Sequence, residues 1–214
     1  MTAYVKAASV PPHLVDDRDP PAIAQLKEDH QILRALFDLV ETVGDDVLFP
    51  IAGEICIRLA IHMSLEEEFL YPSLRAVIGA DEIDDAIMEH QLAKRLILQI
   101  MELSGRAETL RAKIHDLGEE VIRHIDEEDR ELFRHARKSA EAGKIDLVEI
   151  EIEMERRRRD LFALVGSASV KTPAFDVDLD ADAIERLPQS GSEVDGEAWP
   201  ELADAGATGR HSSA

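Results

Sequence analysis

The amino-acid sequence predicts an all-α protein: an antiparallel up-down four-helix bundle with an additional C-terminal helix and a disordered acidic tail. Apolar residues recur at spacings of three and four over four long segments, which is the period of one face of an α-helix. The segments are joined by short connections, which favour antiparallel neighbours. After residue 166 the helical period stops and Asp, Pro, Gly, Ser and Ala dominate, a composition typical of disorder.

The chain is predicted to have four parts. They are an irregular N-terminal arm at 1–21, a bundle at 22–142, an additional helix at 143–166 and a disordered acidic tail at 167–214. The arm carries two Pro-Pro pairs, which interrupt regular structure. The bundle helices are predicted to begin near Ala22, Asp46, Asp81 and Ala107, and Gly143 is a plausible stop for the last of them.

The first two helices carry polar residues within their apolar stripes. In helix one, His30 fills the gap between Leu26 and Leu33. In helix two, which starts with Asp46 as a possible cap and runs towards Tyr71-Pro72, the stripe includes a histidine and a glutamate. Its members are Ile51, Ile55, Leu59, His62, Glu66 and Phe69. Side chains on such a stripe face the core, so these polar groups are predicted to point inward.

Helices three and four repeat this arrangement. Helix three, from about Asp81 to Ser104, has His90 in its stripe with Lys94 as an awkward member. Helix four has the most regular pattern. Its stripe consists of Leu110, Ile114, Leu117, Val121, His124 and Glu128. A histidine and a glutamate four residues apart therefore share a face on both the second and the fourth helix.

The fifth helix, at about 144–165, contains four consecutive arginines at 156–159. Such a run suggests a nucleic-acid contact, but Glu153 and Glu155 each stand four residues before an arginine. Glutamate preceding arginine by four is the favourable order for an ion pair within one helix. The sequence therefore favours a solvated, salt-bridged face.

Composition limits the classes of partner. The 45 acidic and 24 basic residues give a net charge of −21, which repels nucleic-acid phosphates and anionic membrane surfaces. A single cysteine, Cys56, precludes an intrachain disulfide framework and is expected to be a small buried side chain. No signal peptide is legible, and no run is expected to approach a membrane span of about 20 residues. We therefore expect a cytoplasmic protein with neither a nucleic-acid nor a membrane partner.

The four core histidines are predicted to meet in one layer. In an up-down bundle, each lies about 20–26 Å from the loop that joins its helix to the next, at 1.5 Å per residue. Two unpaired carboxylates in that layer would each cost several kcal/mol and would repel one another. Bound divalent or trivalent cations remove both penalties. The sequence therefore predicts a metal site, and a buried polar network is the alternative.

Imidazole and carboxylate ligands without thiolate suit iron, manganese or zinc rather than cuprous copper. Two octahedral metals offer about twelve positions, of which four histidines and two bridging carboxylates fill about eight. A bridging oxide or hydroxide leaves about two positions open. Such a pair of irons can bind a small diatomic molecule or peroxide.

Other polar residues near these positions have simpler interpretations. Glu67 and Asp129 could accept hydrogen bonds from ligand histidines, but a solvated helix position is the preferred interpretation. Tyr71 could donate a hydrogen bond to a ligand at the metals, although a tyrosine beside proline more often marks a helix end. His115 and His135 lie off the stripes and are expected at the surface.

These residues resemble the hemerythrin-like, HHE cation-binding family over about 22–142. The resemblance lies in the doubled His and His-x-x-x-Glu half-motifs and in Glu66-Glu67-Glu68-Phe69-Leu70-Tyr71-Pro72. It implies a four-helix bundle that holds two non-heme irons with an oxo or hydroxo bridge, Fe-O-Fe or Fe-OH-Fe. By position it implies four terminal imidazole ligands and two bridging carboxylates, namely His30, His62, His90 and His124 with Glu66 and Glu128.

The sequence departs from the oxygen-carrying hemerythrins at the third helix. Those proteins have His-x-x-x-His there, whereas here His90 is followed by Lys94. Four histidines, with Glu128 four residues after His124, look more like the iron-cluster repair proteins and the iron-sensing hemerythrin-like domains. The repair proteins commonly add an N-terminal cysteine pair, which this sequence lacks.

The resemblance implies a di-iron protein that binds or responds to oxygen, peroxide, nitric oxide or iron, as in a stress response. The alternative is an interaction or regulatory protein, in which the bundle metal is only structural and the helix at 144–165 or the acidic tail contacts a protein partner. A peroxidase or oxidase activity at the same site has no substrate pocket to support it in the sequence, so no catalytic residue is predicted.

Overall fold

The computed structural model describes residues 19–103 and 107–169, and within these ranges it contains helices and no strands. The helices are α1 (Pro21–Val40), α2 (Asp45–Leu65), α3 (Tyr71–Ile78), α4 (Asp81–Glu102), α5 (Ala107–Glu127), α6 (Phe133–Glu141) and α7 (Leu147–Ser169). Two π-helical turns, Glu66–Leu70 and Glu128–Leu132, join α2 to α3 and α5 to α6. The predicted arm falls almost entirely outside the described residues. So does the predicted acidic tail at 167–214, except for residues 167–169, which form the end of α7 and are therefore helical.

The helices form the predicted antiparallel bundle, in which α1 packs on α2 and α5, and α4 packs on α2 and α5. The bundle lies in the first of two structural units, Met1–Phe162. Its core is built from the predicted apolar stripes, including Leu33, Ile55, Leu59, Ile97, Leu117 and Val121. Each such side chain contributes about 1.5–3 kcal/mol when it leaves water. Cys56 is buried in the same core, as predicted.

The second helix does not end at Tyr71-Pro72. It continues through the π-helical turn and α3 to Ile78. In a regular α-helix, proline lacks a donor and its ring clashes with the carbonyl four residues earlier. Here Pro72 follows directly after a π-helical turn, whose wider hydrogen-bond spacing changes the position of that carbonyl. The helix therefore passes the proline and brings Tyr71 into the bundle.

Helix ends depart from the sequence prediction in two places. The second helix begins at Asp45 with Gly44 as its N-cap and no side-chain cap, so Asp46 does not cap it. The fifth helix begins at Leu147 rather than near Lys144, because Asp146 Oδ1 accepts hydrogen bonds from the backbone N–H groups of Val148 and Glu149, at 3.0 and 3.1 Å. The stop at Gly143 is confirmed, since its φ of 66° lies in the region that glycine tolerates best.

Of the described residues, only the helical run Asp45–Ile78 is long and apolar enough to cross a membrane. The expectation that no run approaches such a span was therefore wrong by length and composition. In its most apolar window, 56% of the residues are buried within the protein, as is common for a core helix.

The arginine run of α7 is only partly the solvated face that the sequence predicted. Arg156 pairs with Glu153 at 2.7 Å and Arg159 lies 3.8 Å from Glu155, both on the surface of α7. Arg157 instead binds Glu68, at 2.9–3.2 Å. Arg158 binds Asp29 of α1. Two of the four arginines therefore hold α7 against the bundle, a long-range pairing that intrahelical spacing cannot reveal.

Candidate metal centre

The four predicted histidines meet in two pairs inside the bundle. His30 Nε2 lies 3.1 Å from His62 Nε2, and His90 Nε2 lies 3.0 Å from His124 Nε2. All four side chains are buried. Each pair joins the histidines of one sequence repeat, so the chain supplies one pair from α1 and α2 and the other from α4 and α5.

The two core glutamates lie between these pairs. Glu66 Oε2 is 3.2 Å from His62 Nε2 and 3.4 Å from His90 Nε2. Glu128 Oε2 makes the reciprocal link, at 3.4 Å from both His124 Nε2 and His30 Nε2. Each glutamate therefore reaches one histidine of each pair, which is the geometry required of a carboxylate that two cations share.

The donor atoms group into two pockets. The first consists of His30, His62, Glu66 and Glu128, and the second of Glu66, His90 and His124; within each, the candidate ligand atoms lie no more than 4.8 Å apart. Both oxygens of Glu66 and Oε2 of Glu128 are buried and accept no hydrogen bond among the described residues. Buried carboxylate oxygens without donors are costly, and cations at the two pockets would satisfy them.

Both glutamates stand at the first residue of a π-helical turn. Such turns are rare and occur frequently at functional sites. These turns could not be predicted from the sequence, because the His-x-x-x-Glu spacing is the same in an α-helix. Their occurrence at the same position of both repeats indicates that the local backbone belongs to the site.

The two buried glutamates are electrostatically unfavourable neighbours. Burial raises the pKa of Glu66, and the nearby charge of Glu128 raises it further. Burial also acts to raise the pKa of Glu128, but the nearby charges of His124 and His30, each with Nε2 at 3.4 Å, outweigh burial and lower it. The two carboxylates are therefore not ionised alike without a cation, because two adjacent anions repel in a buried site.

Comparison with known families agrees with this geometry. The hemerythrin HHE cation-binding domain model matches residues 22–136, a range that includes both histidine pairs and both glutamates. The chain belongs to this family. The resemblance found in the sequence is thereby confirmed.

One curated relative is a DNA nickase from Nostoc sp. (strain PCC 7120 / SAG 25.82 / UTEX 2576), which is 28% identical over 109 residues. The match covers 50% of this chain and 31% of that protein, so the chain spans about a third of the length of the relative. No solved structure matches the chain.

The hemerythrin-like site has a second layer of carboxylates. Each histidine Nδ1 faces an acidic side chain: His30 faces Asp129 at 3.0 Å, His62 faces Asp29 at 3.4 Å, and His90 and His124 face Glu67 and Glu89, both at 2.8 Å. The preference for solvated positions at Glu67 and Asp129 was therefore wrong. These four carboxylates, which we call the outer carboxylates, orient the imidazole rings so that Nε2 points to the pockets.

Asp29 and Glu89 were missed by sequence reasoning. A signal was available, because an acidic residue immediately precedes the first histidine of both repeats, as Asp29-His30 and Glu89-His90. Each of these acids serves the other histidine of its pair, on the neighbouring helix. Adjacent helical residues do not share a face, so the spacing alone pointed away from the site.

A third layer of cations surrounds the carboxylates. Lys94 binds both oxygens of Glu67, at 2.6 and 2.8 Å, and Arg123 binds Glu89. Arg34 Nη2 lies 3.8 Å from Asp129 Oδ2 and binds Asp126 at 2.6 Å. The remaining acceptor, Asp29, is bound by Arg158, at 2.8 and 2.5 Å.

Lys94 lies at the third-helix position where the oxygen-carrying hemerythrins have a histidine, and it is only 2% exposed. Its ammonium contacts Glu67. Burial lowers the pKa of Lys94, and Glu67 opposes that shift. Lys94, the charged residue in the apolar stripe of the third helix, is thus buried and forms an ion pair with the outer carboxylate Glu67.

The imidazoles differ in pKa, because burial and the neighbouring carboxylates act on them to different extents. Burial disfavours the His30 cation, but the hydrogen bond to Asp129 and the adjacent charge of Glu128 outweigh burial and raise its pKa to about 9. Burial dominates at His90 and lowers its pKa to about 4, despite the hydrogen bond to Glu67. Metal binding therefore has to displace a proton from His30.

Other predicted assignments have mixed outcomes. His115 is exposed, and His135 forms a surface pair with Glu82 at 3.1 Å, as expected. Tyr71 does not mark a helix end: it is 1% exposed and its hydroxyl donates to Glu128 Oε1 at 2.7 Å.

Proposed function

We propose that the chain is a non-heme di-iron protein whose two irons bind, or respond to, a small ligand of the oxygen, peroxide or nitric oxide class, or iron itself. One observation carries the proposal: two buried carboxylates each reach a histidine of both pairs, at 3.2–3.4 Å. In this assignment the four histidines would be terminal ligands and the two glutamates would be shared by the two irons.

The donor chemistry supports iron over softer metals. All six proposed ligands are imidazole or carboxylate, and the lone Cys56 lies in the apolar core away from them. Such sets suit iron, with manganese and zinc as weaker alternatives. Two bound irons would supply reversible one-electron chemistry and open coordination positions. The protein would hold the imidazoles in orientation through the outer carboxylates and keep bulk water from the buried layer.

The proposal is tested by metal analysis after expression in iron-containing medium. We expect about two irons per chain and, in the oxidised protein, near-ultraviolet charge-transfer bands that change when azide or nitric oxide is added. One zinc per chain, or two irons whose spectra do not change when any small ligand is added, would favour the alternative of an interaction protein with a structural metal.

The similarity to a DNA nickase does not extend the proposal to DNA cleavage. The match covers 31% of that relative, and the net charge of −21 opposes approach to phosphates. We propose that the chain has neither a nucleic-acid nor a membrane partner and acts in the cytoplasm. Incubating the iron-loaded protein with supercoiled plasmid tests the first point, since nicking that is lost in His62→Ala would contradict it.

A further inference from the structure

Helix α7 lies beyond the residues that match the family model, 22–136, yet it reaches the histidine network. Arg158 donates hydrogen bonds to Asp29 Oδ1 and Oδ2, at 2.8 and 2.5 Å. The two side chains are 15% and 13% exposed. A guanidinium that binds both oxygens of a carboxylate fixes its direction as well as its charge, so Arg158 sets the orientation of Asp29.

Asp29 is the acceptor for His62. The contact is 3.4 Å long and uses Oδ2, one of the two oxygens that Arg158 binds. The corresponding contacts at the other three histidines measure 2.8–3.0 Å. The His62 contact is the longest of the four, so it holds its carboxylate least firmly. The position of Asp29 therefore depends most on Arg158.

The cations of the other three outer carboxylates come from the bundle. Arg34 belongs to α1, Lys94 to α4 and Arg123 to α5, whereas Arg158 belongs to α7. The first pocket, which contains His62, is therefore the pocket of the described site that takes a supporting residue from outside α1–α6. The second pocket, with His90 and His124, is supported from within the bundle.

We infer that Arg158 is a positioning residue for the first metal pocket and that α7, by supplying it, contributes to metal binding. The inference rests on the proposed metal site. Without Arg158, the Asp29 carboxylate can turn towards solvent, and the His62 imidazole loses the acceptor that fixes its tautomer and direction. Metal affinity then falls at the pocket of His62 and not at the pocket of His124.

The test compares Arg158→Gln with Arg157→Ala. Arg157 also anchors α7, and it does so through Glu68, which is not one of the four outer carboxylates. Stepwise titration of the metal-free proteins with Co²⁺, followed by visible absorption, reports both sites. Loss of an outer hydrogen-bond partner typically weakens metal binding about 10–100-fold. We expect about tenfold weaker binding at one site in Arg158→Gln and less than about twofold change at either site in Arg157→Ala.

A second readout separates positioning from general destabilisation. In the zinc-loaded protein, the imidazole Nδ1–H protons can be followed by NMR. We expect faster solvent exchange for His62 in Arg158→Gln, with the exchange at His124 unchanged. Equal weakening in Arg157→Ala, or equal weakening of both sites, would show that α7 acts only by covering the bundle and would overturn the inference.

A double-mutant cycle with Asp29→Asn keeps the inference testable if one variant folds poorly. If Arg158 acts through Asp29, the double variant should bind Co²⁺ about as weakly as Asp29→Asn alone. If the losses of Co²⁺ affinity in the two single variants add up in the double variant, Arg158 does not act through Asp29. If wild type binds no metal, the proposed function falls together with this inference. If wild type binds two ions and Arg158→Gln does so with unchanged affinities, only this inference falls.

Discussion

Tyr71 donates a 2.7 Å hydrogen bond to Glu128 Oε1, which makes the two proposed bridging carboxylates inequivalent. One oxygen of Glu128 is committed to the phenol, whereas both oxygens of Glu66 lack a donor among the described residues. Burial and the charge of Glu128 raise the pKa of Tyr71, so the phenol remains a donor. The site therefore has one carboxylate free to use both oxygens and one held at a single oxygen.

Removing this phenol should destabilise the metal-free protein. Tyr71→Phe leaves Glu128 Oε1 without its donor, and an unsatisfied buried acceptor costs about 1–3 kcal/mol. Urea unfolding of metal-free wild type and variant measures the difference. The loss should be smaller in the metal-loaded proteins, since cations neutralise Glu128. Equal losses with and without metal would show that the phenol matters for packing alone.

Replacing one histidine of a pair should remove metal without unfolding the bundle. His62→Ala and His124→Ala each delete one proposed ligand, while the apolar core of the bundle remains. We expect iron content to fall from about two towards one or none, with helicity by circular dichroism largely kept. His135→Ala is the matched control, because His135 pairs with Glu82 at the surface. Unchanged iron in both ligand variants would remove these residues from the site.

Neutralising Glu66 should separate metal binding from stability. Glu66→Gln keeps the shape of the side chain but cannot bridge two cations as an anion. We expect loss of antiferromagnetic coupling and an iron content below two. In the metal-free state the variant should melt at the same temperature as wild type or higher, because the substitution removes a buried acid whose pKa is raised by burial and by Glu128. A variant that retains two coupled irons would refute the bridging role.

Lys94 should contribute more to stability than a surface lysine. Lys94→Met leaves Glu67, which is 22% exposed, without its ammonium. Removing one partner of a fully buried pair costs about 3–5 kcal/mol, and the partial exposure of Glu67 lowers our expectation to about 2 kcal/mol. Lys113→Met is the control, because its pair with Asp116 is exposed and such pairs contribute about 0–1 kcal/mol. Equal losses of unfolding free energy would contradict the ion-pair role.

Metal affinity should rise with pH in the neutral range. Although burial opposes it, the hydrogen bond to Asp129 and the adjacent charge of Glu128 raise the His30 pKa from 6.5 to about 9 in the metal-free state. A metal ion has to displace this proton, so affinity should rise about tenfold per pH unit between pH 7 and 9. Chelator competition measures the slope. Asp129→Asn should lower the His30 pKa and flatten the slope, and an unchanged slope would exclude His30 as its source.

The same shift has a consequence for folding of the metal-free protein. A histidine whose pKa is raised on folding stabilises the native state fully below its unfolded pKa, near 6.5. That contribution is lost as pH rises from about 6.5 through about 9. The metal-free protein should therefore lose unfolding free energy over this window, and Asp129→Asn should lose less.

The sequence by itself determined the bundle, the two histidine pairs and the two core glutamates. These features are periodic, and a period of three to four residues fixes which side chains share a face of one helix. His30, His62, His90 and His124 could thus be placed in one layer from helix lengths alone. The family resemblance added the proposed role of each residue.

Only the tertiary structure decided what surrounds that layer. Asp29 serves His62 and Glu89 serves His124 from a neighbouring helix, and Arg158 reaches Asp29 from α7. Such contacts depend on the rotation and separation of packed helices. The periodicity within one helix carries no information about either. The π-helical turns at Glu66 and Glu128 were hidden for a related reason: a single wider turn leaves the residue pattern unchanged and shows only in the backbone hydrogen bonds.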